Sequence, residues 1–280
     1  MRFSRHSRES GNPSFLKRNL RQWASFGTAA RRIPAFAGMT GLIVVVALRA
    51  FAADPDELWR IINDKCVPHE QKTGEPDPCL LVDLSAGADK GYVVLKDIEG
   101  ATQLLVMPTA KITGIESPDI ITDGATNYLA LAWLATPRVE ALAHRLLPRD
   151  GLSLAVNPIN GRSQNQLHIH VDCLDAGVRD VLREHAAEIG EQWAPLPVML
   201  NGHQYLALRV DDAWLSDKNP FRLLADGVPG ASADMGHQTL AVVGATLPDG
   251  HPGFILIARH VDGAVAAGAE ELQDHTCQGY

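Results

Sequence analysis

The sequence predicts an α+β fold in which helices flank an antiparallel sheet. Three observations support this prediction. Short apolar or alternating segments, typical of strands, occur in closely spaced pairs along the chain. Segments with helical periodicity lie between those pairs. The chain has 280 residues, enough for one large or two small domains with a hydrophobic core.

The first elements are a short helix, a hairpin and a longer helical segment. Residues 56–65 form an apolar stripe at helical spacing, which predicts a helix. Residues 91–96 and 102–107 alternate or run apolar, and they predict a hairpin. Residues 125–147 have helical periodicity, with a break expected near Pro137 because proline lacks the amide hydrogen of a helix.

Two further strands complete the predicted sheet. They cover residues 152–157 and 166–173, and an amphipathic helix follows over residues 175–193. Asp175 precedes that helix, where its carboxylate can accept hydrogen bonds from the first turn. This order predicts one α+β unit over about residues 85–175.

The C-terminal part, residues 195–280, repeats the pattern faintly. Residues 203–210 match residues 90–97, and residues 239–260 echo residues 152–170 without the histidines. One hypothesis is an internal pseudo-dimer, in which the second half is a degenerate copy of the first. The alternative is an unrelated C-terminal extension.

Charge is segregated along the chain. Residues 1–53 hold nine of the 25 basic residues and one of the 33 acidic residues, which leaves a net charge of −16 for residues 54–280. Such a surface argues against nucleic-acid binding, which needs clustered basic residues. Any phosphate pocket must therefore be a local exception to the acidic surface.

The N-terminal segment, residues 1–53, is expected to lie outside the folded domain. Residues 42–53 are apolar, too short to span a bilayer comfortably, and end in small residues of the kind that signal peptidase cleaves. Cleavage near Ala52 or Ala53 is favoured over an uncleaved membrane anchor. The predicted location is the periplasmic side of the inner membrane. The start codon is ambiguous, with Met39 as an alternative.

Four cysteines in an exported chain suggest two disulfides, for which three pairings exist. Cys66 and Cys79 flank a short loop and form the pair that closes most easily. Their pairing leaves Cys173 for Cys277, which would clamp the C-terminus beside the strand of residues 166–173. A catalytic cysteine is the competing interpretation, and no spacing to an activating partner supports it.

The strongest chemical signal is a pair of histidines on one strand face. Alternate residues of a strand point the same way, so His168 and His170 share a face. Packed or solvated histidines give the same pattern, and it also recurs in zinc sites. No HExxH motif and no cluster of acidic or cysteine ligands with metal-like spacing accompanies it. Nearby polar residues, Asn157 at a strand end and Ser163 in the following loop, instead favour phosphate chemistry.

This arrangement resembles the signature of the histidine triad superfamily, whose members attack the α-phosphate of a nucleotide. Further segments resemble one branch, the bacterial CDP-diacylglycerol pyrophosphatases, and the likeness covers about residues 56–280. These segments are residues 91–97, 107–109, 116–118, 202–207 and 273–277. The resemblance implies a histidine-triad-like sheet, with residues 54–194 as the catalytic half and residues 195–280 as a possible degenerate repeat.

The resemblance also implies roles for individual residues. His168 takes the position of the nucleophile and His170 that of its partner at the phosphoryl oxygens, whereas Gln166 replaces the first histidine of the triad. The backbone carbonyl of Gln166 is expected to accept the hydrogen bond from the His168 ring. Asn157 and Ser163 would orient the non-bridging oxygens.

Two predicted substrate contacts lie further upstream. Lys111 occupies a position where many members of the superfamily have another histidine, and a cation there would suit a diphosphate. Asp97 corresponds to the residue that binds the ribose. No metal and no cofactor are implied.

The implied reaction is hydrolysis of CDP-diacylglycerol at a membrane surface to CMP and phosphatidate through a CMP–histidine intermediate. Two alternatives are a hydrolase or transferase of soluble nucleotides and a non-catalytic nucleotide- or lipid-binding module. The resemblance allows a homodimer as well as the internal pseudo-dimer.

Overall fold

A computed structural model describes residues 54–263 and 268–280 of the chain. Its ten strands form one antiparallel sheet with helices packed against it, which confirms the predicted α+β class. The expected signal or anchor, in residues 1–53, lies outside the described residues. Within the part that is described, no helix is long and apolar enough to cross a membrane.

The strands are β1 (Leu81–Asp83), β2 (Tyr92–Lys96), β3 (Leu104–Pro108), β4 (Leu152–Val156), β5 (Ile169–Leu174), β6 (Ala194–Pro195), β7 (Leu206–Asp211), β8 (Gln238–Thr246), β9 (Pro252–His260) and β10 (Gln273–Asp274). The α-helices are α1 (Glu57–Ile61), α2 (Val67–Thr73), α3 (Tyr128–Trp133), α4 (Thr136–Ala143), α5 (Ala176–Glu184), α6 (Asp212–Asp217) and α7 (Pro220–Gly227).

Most predicted elements are present, and two helices differ in length. A π-helical turn, Ile62–Cys66, joins α1 to α2, so the N-terminal helix continues past residue 65. Pro68 follows the π-helical turn closely, at the first positions of α2. Helix α5 ends at Glu184, well before the predicted residue 193, although Asp175 caps it as expected by accepting from the amides of the first turn.

The strand order is the same on both sides of the sheet centre. Outward from the central β4–β8 pair, one side runs β4, β5, β3, β2 and the other runs β8, β9, β7, β6, and β1 is an additional strand at the edge beside β2. A repeat would have this order, with a hairpin, helices and a second hairpin in each half. The internal pseudo-dimer itself stays a prediction. In this order β7 corresponds to β3, whereas the sequence pattern had matched residues 203–210 to residues 90–97.

The two faces of the sheet carry different helices. Helices α3, α4, α6 and α7 cover one face over the main hydrophobic core. The N-terminal helix covers β1 to β3 on the other face, and α5 covers the C-terminal half there. His168 and His170 belong to this second face, because Ile169 and Val171 between and beyond them point into the main core. The histidines thus lie on the second face, between the region covered by the N-terminal helix and the region covered by α5.

Both disulfides have the predicted pairing. Cys66 joins Cys79, and Cys173 joins Cys277 across 104 residues of chain. The second bridge fixes the segment of residues 268–280, here called the C-terminal strap, beside β5. Two structural disulfides indicate an oxidising compartment.

Candidate active site

The histidine pair lines an open cleft of about 530 Å³ on the second face of the sheet. The walls come from the N-terminal helix, the loop after β2, the loop between β4 and β5, and the C-terminal strap. Five predicted residues line this cleft together: Asp97, Asn157, Ser163, His168 and His170. Lys111 and Gln166 do not line it.

His168 is held by the backbone immediately before β5. Its Nδ1 lies 2.6 Å from the carbonyl oxygen of Gln166, as the sequence led us to expect. Because a carbonyl only accepts, Nδ1 carries the proton and Nε2 carries the lone pair. Burial lowers the pKa of His168, against the opposing effects of the Gln166 carbonyl and Glu270. The ring is therefore neutral at neutral pH, as a nitrogen nucleophile must be.

His170 lies deeper in the cleft and makes contact with side chains. Its Nδ1 lies 2.9 Å from Nε2 of Gln103 and 3.2 Å from Oε1 of Glu270. Its Nε2 lies 3.5 Å from Nδ2 of Asn157. Burial and the neighbouring His168 lower the pKa of His170, and Glu270 only partly opposes them. His170 is thus also neutral.

Glu270 is a site residue that the sequence did not reveal. It comes from the C-terminal strap, and its carboxylate accepts from Nε2 of Gln103 at 2.8 Å and from Nδ2 of Asn157 at 2.6 Å. Burial raises its pKa, but hydrogen bonds from these two amides and the nearby His275 act against burial, and the pKa is lowered. Gln103, just before β3, was missed as well. Neither residue belongs to a local motif, so only the paired strands bring them to the histidines.

The loop between β4 and β5 supplies further donors. Ser163 is exposed at the cleft, and the amide of Gly161 is used in a turn, where it donates to Pro158 at 2.9 Å. Arg162, which the sequence did not single out, lines the cleft and forms a two-bonded ion pair with Glu116, with N–O distances of 2.8 and 2.5 Å. This pair fixes the loop from which Ser163 projects.

Asp97 lies on the opposite rim, in the loop after β2. The Lys96 ammonium holds this loop by donating to the carbonyls of Asp97 at 2.6 Å and Gly100 at 3.0 Å. Ile98 projects from the loop and is 96% exposed. The wall beneath is apolar and includes Leu58 of the N-terminal helix.

The two remaining predicted residues have other contacts. The Gln166 side chain is buried and donates from Nε2 to the carbonyls of Pro108 and Ala110, each at 2.9 Å. Lys111 lies at the surface, where its ammonium is 3.1 Å from Asp56. Neither side chain is placed at the histidines, and their roles in substrate binding stay predictions.

The acidic surface of the chain led us to expect a locally basic phosphate pocket, but the cleft is not basic. Its lining has two cations, Lys96 and Arg162, and four carboxylates, which are those of Glu57, Asp97, Glu99 and Glu270. Both cations are engaged by protein oxygens. A bound phosphate would therefore be held mainly by neutral donors from amides, hydroxyls and imidazole.

A chain of acidic and imidazole groups extends from the cleft toward the second disulfide. Nε2 of His275 lies 3.8 Å from Glu270, and its Nδ1 lies 3.0 Å from the fully buried Asp172. Asp172 raises the pKa of His275. This shift favours the protonated form of His275, which would add positive charge behind Glu270.

One exposed group outside the cleft has the residue types of a metal site. The ligand atoms of Asp234, His237 and His260 lie within 4.8 Å of one another. They form ion pairs among themselves, and none of them lines the cleft.

Two comparisons with known proteins bear on the family of this chain. The family model described as CDP-diacylglycerol pyrophosphatase matches residues 53–280. A protein of Yersinia pestis named CDP-diacylglycerol pyrophosphatase is 42% identical over 228 residues, covering 81% of this chain and 85% of that protein. The family match includes the whole described structure and all the cleft residues.

Proposed function

We propose that this chain cleaves CDP-diacylglycerol through a CMP–histidine intermediate on His168. The premise is that the chain belongs to the CDP-diacylglycerol pyrophosphatase family and is a hydrolase of a diphosphate bond. The observation that carries the proposal is the hydrogen bond from Nδ1 of His168 to the Gln166 carbonyl. It leaves the Nε2 lone pair of a buried, neutral ring for attack.

In the first step, Nε2 of His168 attacks the phosphorus of the CMP moiety. The bond from that phosphorus to the bridging oxygen breaks, and its electron pair leaves with phosphatidate. The Nδ1 proton stays on the ring, where the Gln166 carbonyl stabilises the imidazolium. Because a phosphate monoester leaves readily, the step needs positioned donors more than a strong acid.

In the second step, water attacks the phosphorus of the CMP–histidine. The nitrogen–phosphorus bond breaks, its electrons return to Nε2, and the water proton passes to solvent. CMP is released and the ring is again neutral. Each step builds charge on the non-bridging oxygens, near Asn157, Ser163 and His170, and a positioned donor is worth about 2.7–4 kcal/mol.

The cleft also supports a position for the nucleoside. Asp97 lies on the rim above the apolar wall that includes Leu58, so we place the ribose at Asp97. The phosphatidate would then extend past Ser163. The enzyme would act at the periplasmic side of the inner membrane in phospholipid metabolism, and the two disulfides support an exported location.

Loss of the nucleophile tests this proposal. CMP release from CDP-diacylglycerol is measured for the wild type, His168→Ala and the control His185→Ala, which removes a half-buried histidine that follows α5, outside the cleft, and contacts Glu188. We expect a loss of at least about 10⁴-fold in kcat for His168→Ala and near wild-type turnover for the control. Near-native turnover of His168→Ala would overturn the assignment.

A further inference from the structure

The two histidines differ in the group that contacts Nδ1. For His168 this group is the Gln166 carbonyl, which accepts, so that ring is protonated on Nδ1. For His170 it is Nε2 of Gln103, at 2.9 Å, which donates. An Nδ1 that accepts a hydrogen bond carries no proton, so neutral His170 is protonated on Nε2.

The assignment for His170 depends on the orientation of the Gln103 amide, and Glu270 fixes that orientation. Nε2 of Gln103 lies 2.8 Å from Oε1 of Glu270. If the amide were turned by half a rotation, its oxygen would face a carboxylate oxygen with no proton between them. The two amide hydrogens are therefore directed to Glu270 and to His170.

Glu270 is ionised and firmly positioned. Burial raises its pKa, but hydrogen bonds from the amides of Gln103 and Asn157 and the nearby His275 act against burial, and the pKa lies below the ordinary value. The amide of the preceding residue, Ala269, donates to Thr239 at 2.6 Å. Gly268 permits a close approach, since a Cβ there would lie 2.0 Å from Oδ1 of Asn157.

A direct bond from His170 to Glu270 is the competing arrangement. Nδ1 of His170 is 3.2 Å from Oε1 of Glu270, so a proton on Nδ1 could be donated there. It would also point at the Gln103 amide nitrogen at 2.9 Å, which is a second donor. Nε2 of His170 also faces an amide nitrogen, Nδ2 of Asn157, but at the longer distance of 3.5 Å, and that amide already donates to Glu270 at 2.6 Å. The closer donor at Nδ1 therefore favours an accepting Nδ1.

We propose that Glu270, acting through Gln103, is a positioning residue that keeps His170 protonated on Nε2, the opposite tautomer to His168. In this state His170 donates from Nε2 to an oxygen of the diphosphate while the Nε2 lone pair of His168 attacks phosphorus. The proposal rests on the proposed function in one respect, namely that the oxygen accepting this bond belongs to the diphosphate. The tautomer itself is a property of the enzyme without substrate.

The tautomers can be measured by nuclear magnetic resonance on the full chain with ¹⁵N-labelled histidine at neutral pH. Long-range proton–nitrogen correlations distinguish protonated from unprotonated ring nitrogens, and His168→Ala and His170→Ala assign the signals. We expect His168 to be protonated on Nδ1 and His170 on Nε2. A wild-type His170 protonated on Nδ1 would overturn the proposal without any need for a Glu270 variant.

The variant Glu270→Gln tests the relay. A neutral amide can present either oxygen or nitrogen to Gln103, so we expect mixed tautomer signals for His170 and a loss of about 100-fold in kcat with a smaller change in KM. Glu271→Gln is the matched control, since the neighbouring Glu271 contacts His203 and Tyr205 instead of the cleft. We expect it to leave the His170 signals unchanged.

Two results for these variants would contradict the relay. One is Glu270→Gln with unchanged tautomer and kcat, and the other is an equal effect of Glu271→Gln. The proposed function fails separately, if His168→Ala remains active while the tautomers are as described here.

Discussion

At the residue scale, the backbone of Gln166 matters more to the proposed nucleophile than its side chain. The carbonyl contacts His168, whereas the side-chain amide joins the loop after β3 through Pro108 and Ala110. A side chain at this position can therefore change while the hydrogen bond to the nucleophile persists. This explains physically how His168 keeps its backbone hydrogen bond although glutamine occupies the predicted position of the first triad histidine.

The substitution Gln166→Ala separates these two contributions. Loss of two buried hydrogen bonds is expected to lower the free energy of unfolding by about 1–3 kcal/mol. The CMP–histidine intermediate should still form, because the carbonyl remains. Denaturant unfolding and a labelled-substrate assay measure the two effects. Loss of the intermediate in a folded Gln166→Ala protein would show that the side chain acts in catalysis.

The low pKa values of the two histidines predict the pH dependence of activity. A histidine with a lowered pKa stays neutral to a lower pH than the ordinary value of about 6.5. We therefore expect kcat/KM to hold as pH falls through 6.5 and to decline only below it. The charged groups that face the pair are Asp97, Arg162, Glu270 and His275. An acid limb at or above pH 6.5 would contradict the neutral, buried pair.

The sequence allowed prediction of some site residues because local geometry places them. The extended backbone that leads into β5 puts His168, immediately before the strand, and His170 on one face, and Asn157 directly follows the neighbouring strand β4. Gln103 and Glu270 have no such local signal. Their positions depend on the pairing of β3 with β5 and on the anchoring of the C-terminal strap, which are set by packing across the whole sheet.

At the element scale, the C-terminal strap forms part of the active site and is anchored at both ends. Gln273 in β10 donates to the carbonyls of Ser153 and His170, at 3.2 and 3.3 Å. Cys277 joins Cys173 at the end of β5. The strap therefore connects Glu270 to the disulfide through a short, anchored length of chain.

Removal of each disulfide should have different consequences. The Cys173–Cys277 bridge closes 104 residues and the Cys66–Cys79 bridge closes 13, so chain entropy predicts losses of about 4.7 and about 3 kcal/mol in unfolding free energy. We expect the double variant Cys173→Ala/Cys277→Ala also to lose activity under conditions where it is folded. Denaturant unfolding and CMP release measure this.

The double variant Cys66→Ala/Cys79→Ala is the matched control for that experiment. Its bridge joins the N-terminal helix to the loop after it and is not part of the strap. Equal activity losses in the two variants, measured where both are folded, would show that the strap has no special connection to the site.

At the scale of the whole molecule, one half of the continuous sheet carries the histidine pair. Ala155 pairs with both His170 and Ala241, and Ala241 pairs in turn with Ile257. By this register, the positions of His170 and His168 in the second half are occupied by Ile257 and Ile255. Both isoleucines are buried, so these two positions contribute to the core in the second half, whereas the first half has histidines there.

Because one half of the sheet carries the histidine pair, we expect a single covalent site per chain. The rapid first turnover with labelled CDP-diacylglycerol should release phosphatidate and trap CMP at no more than one equivalent per chain. Active-site titration against protein concentration measures this stoichiometry. Two equivalents per chain would show a second nucleophile that the register does not provide.

Direct localisation of the intermediate is the most decisive test of the central claim that His168 is the nucleophile. The enzyme would be mixed briefly with CDP-diacylglycerol, quenched without acid because phosphorus–nitrogen bonds on histidine are acid-labile, and digested for mass spectrometry of its peptides. The account predicts CMP bound to His168. A CMP adduct on any other residue, or a kinetic burst without a covalent adduct, would contradict it.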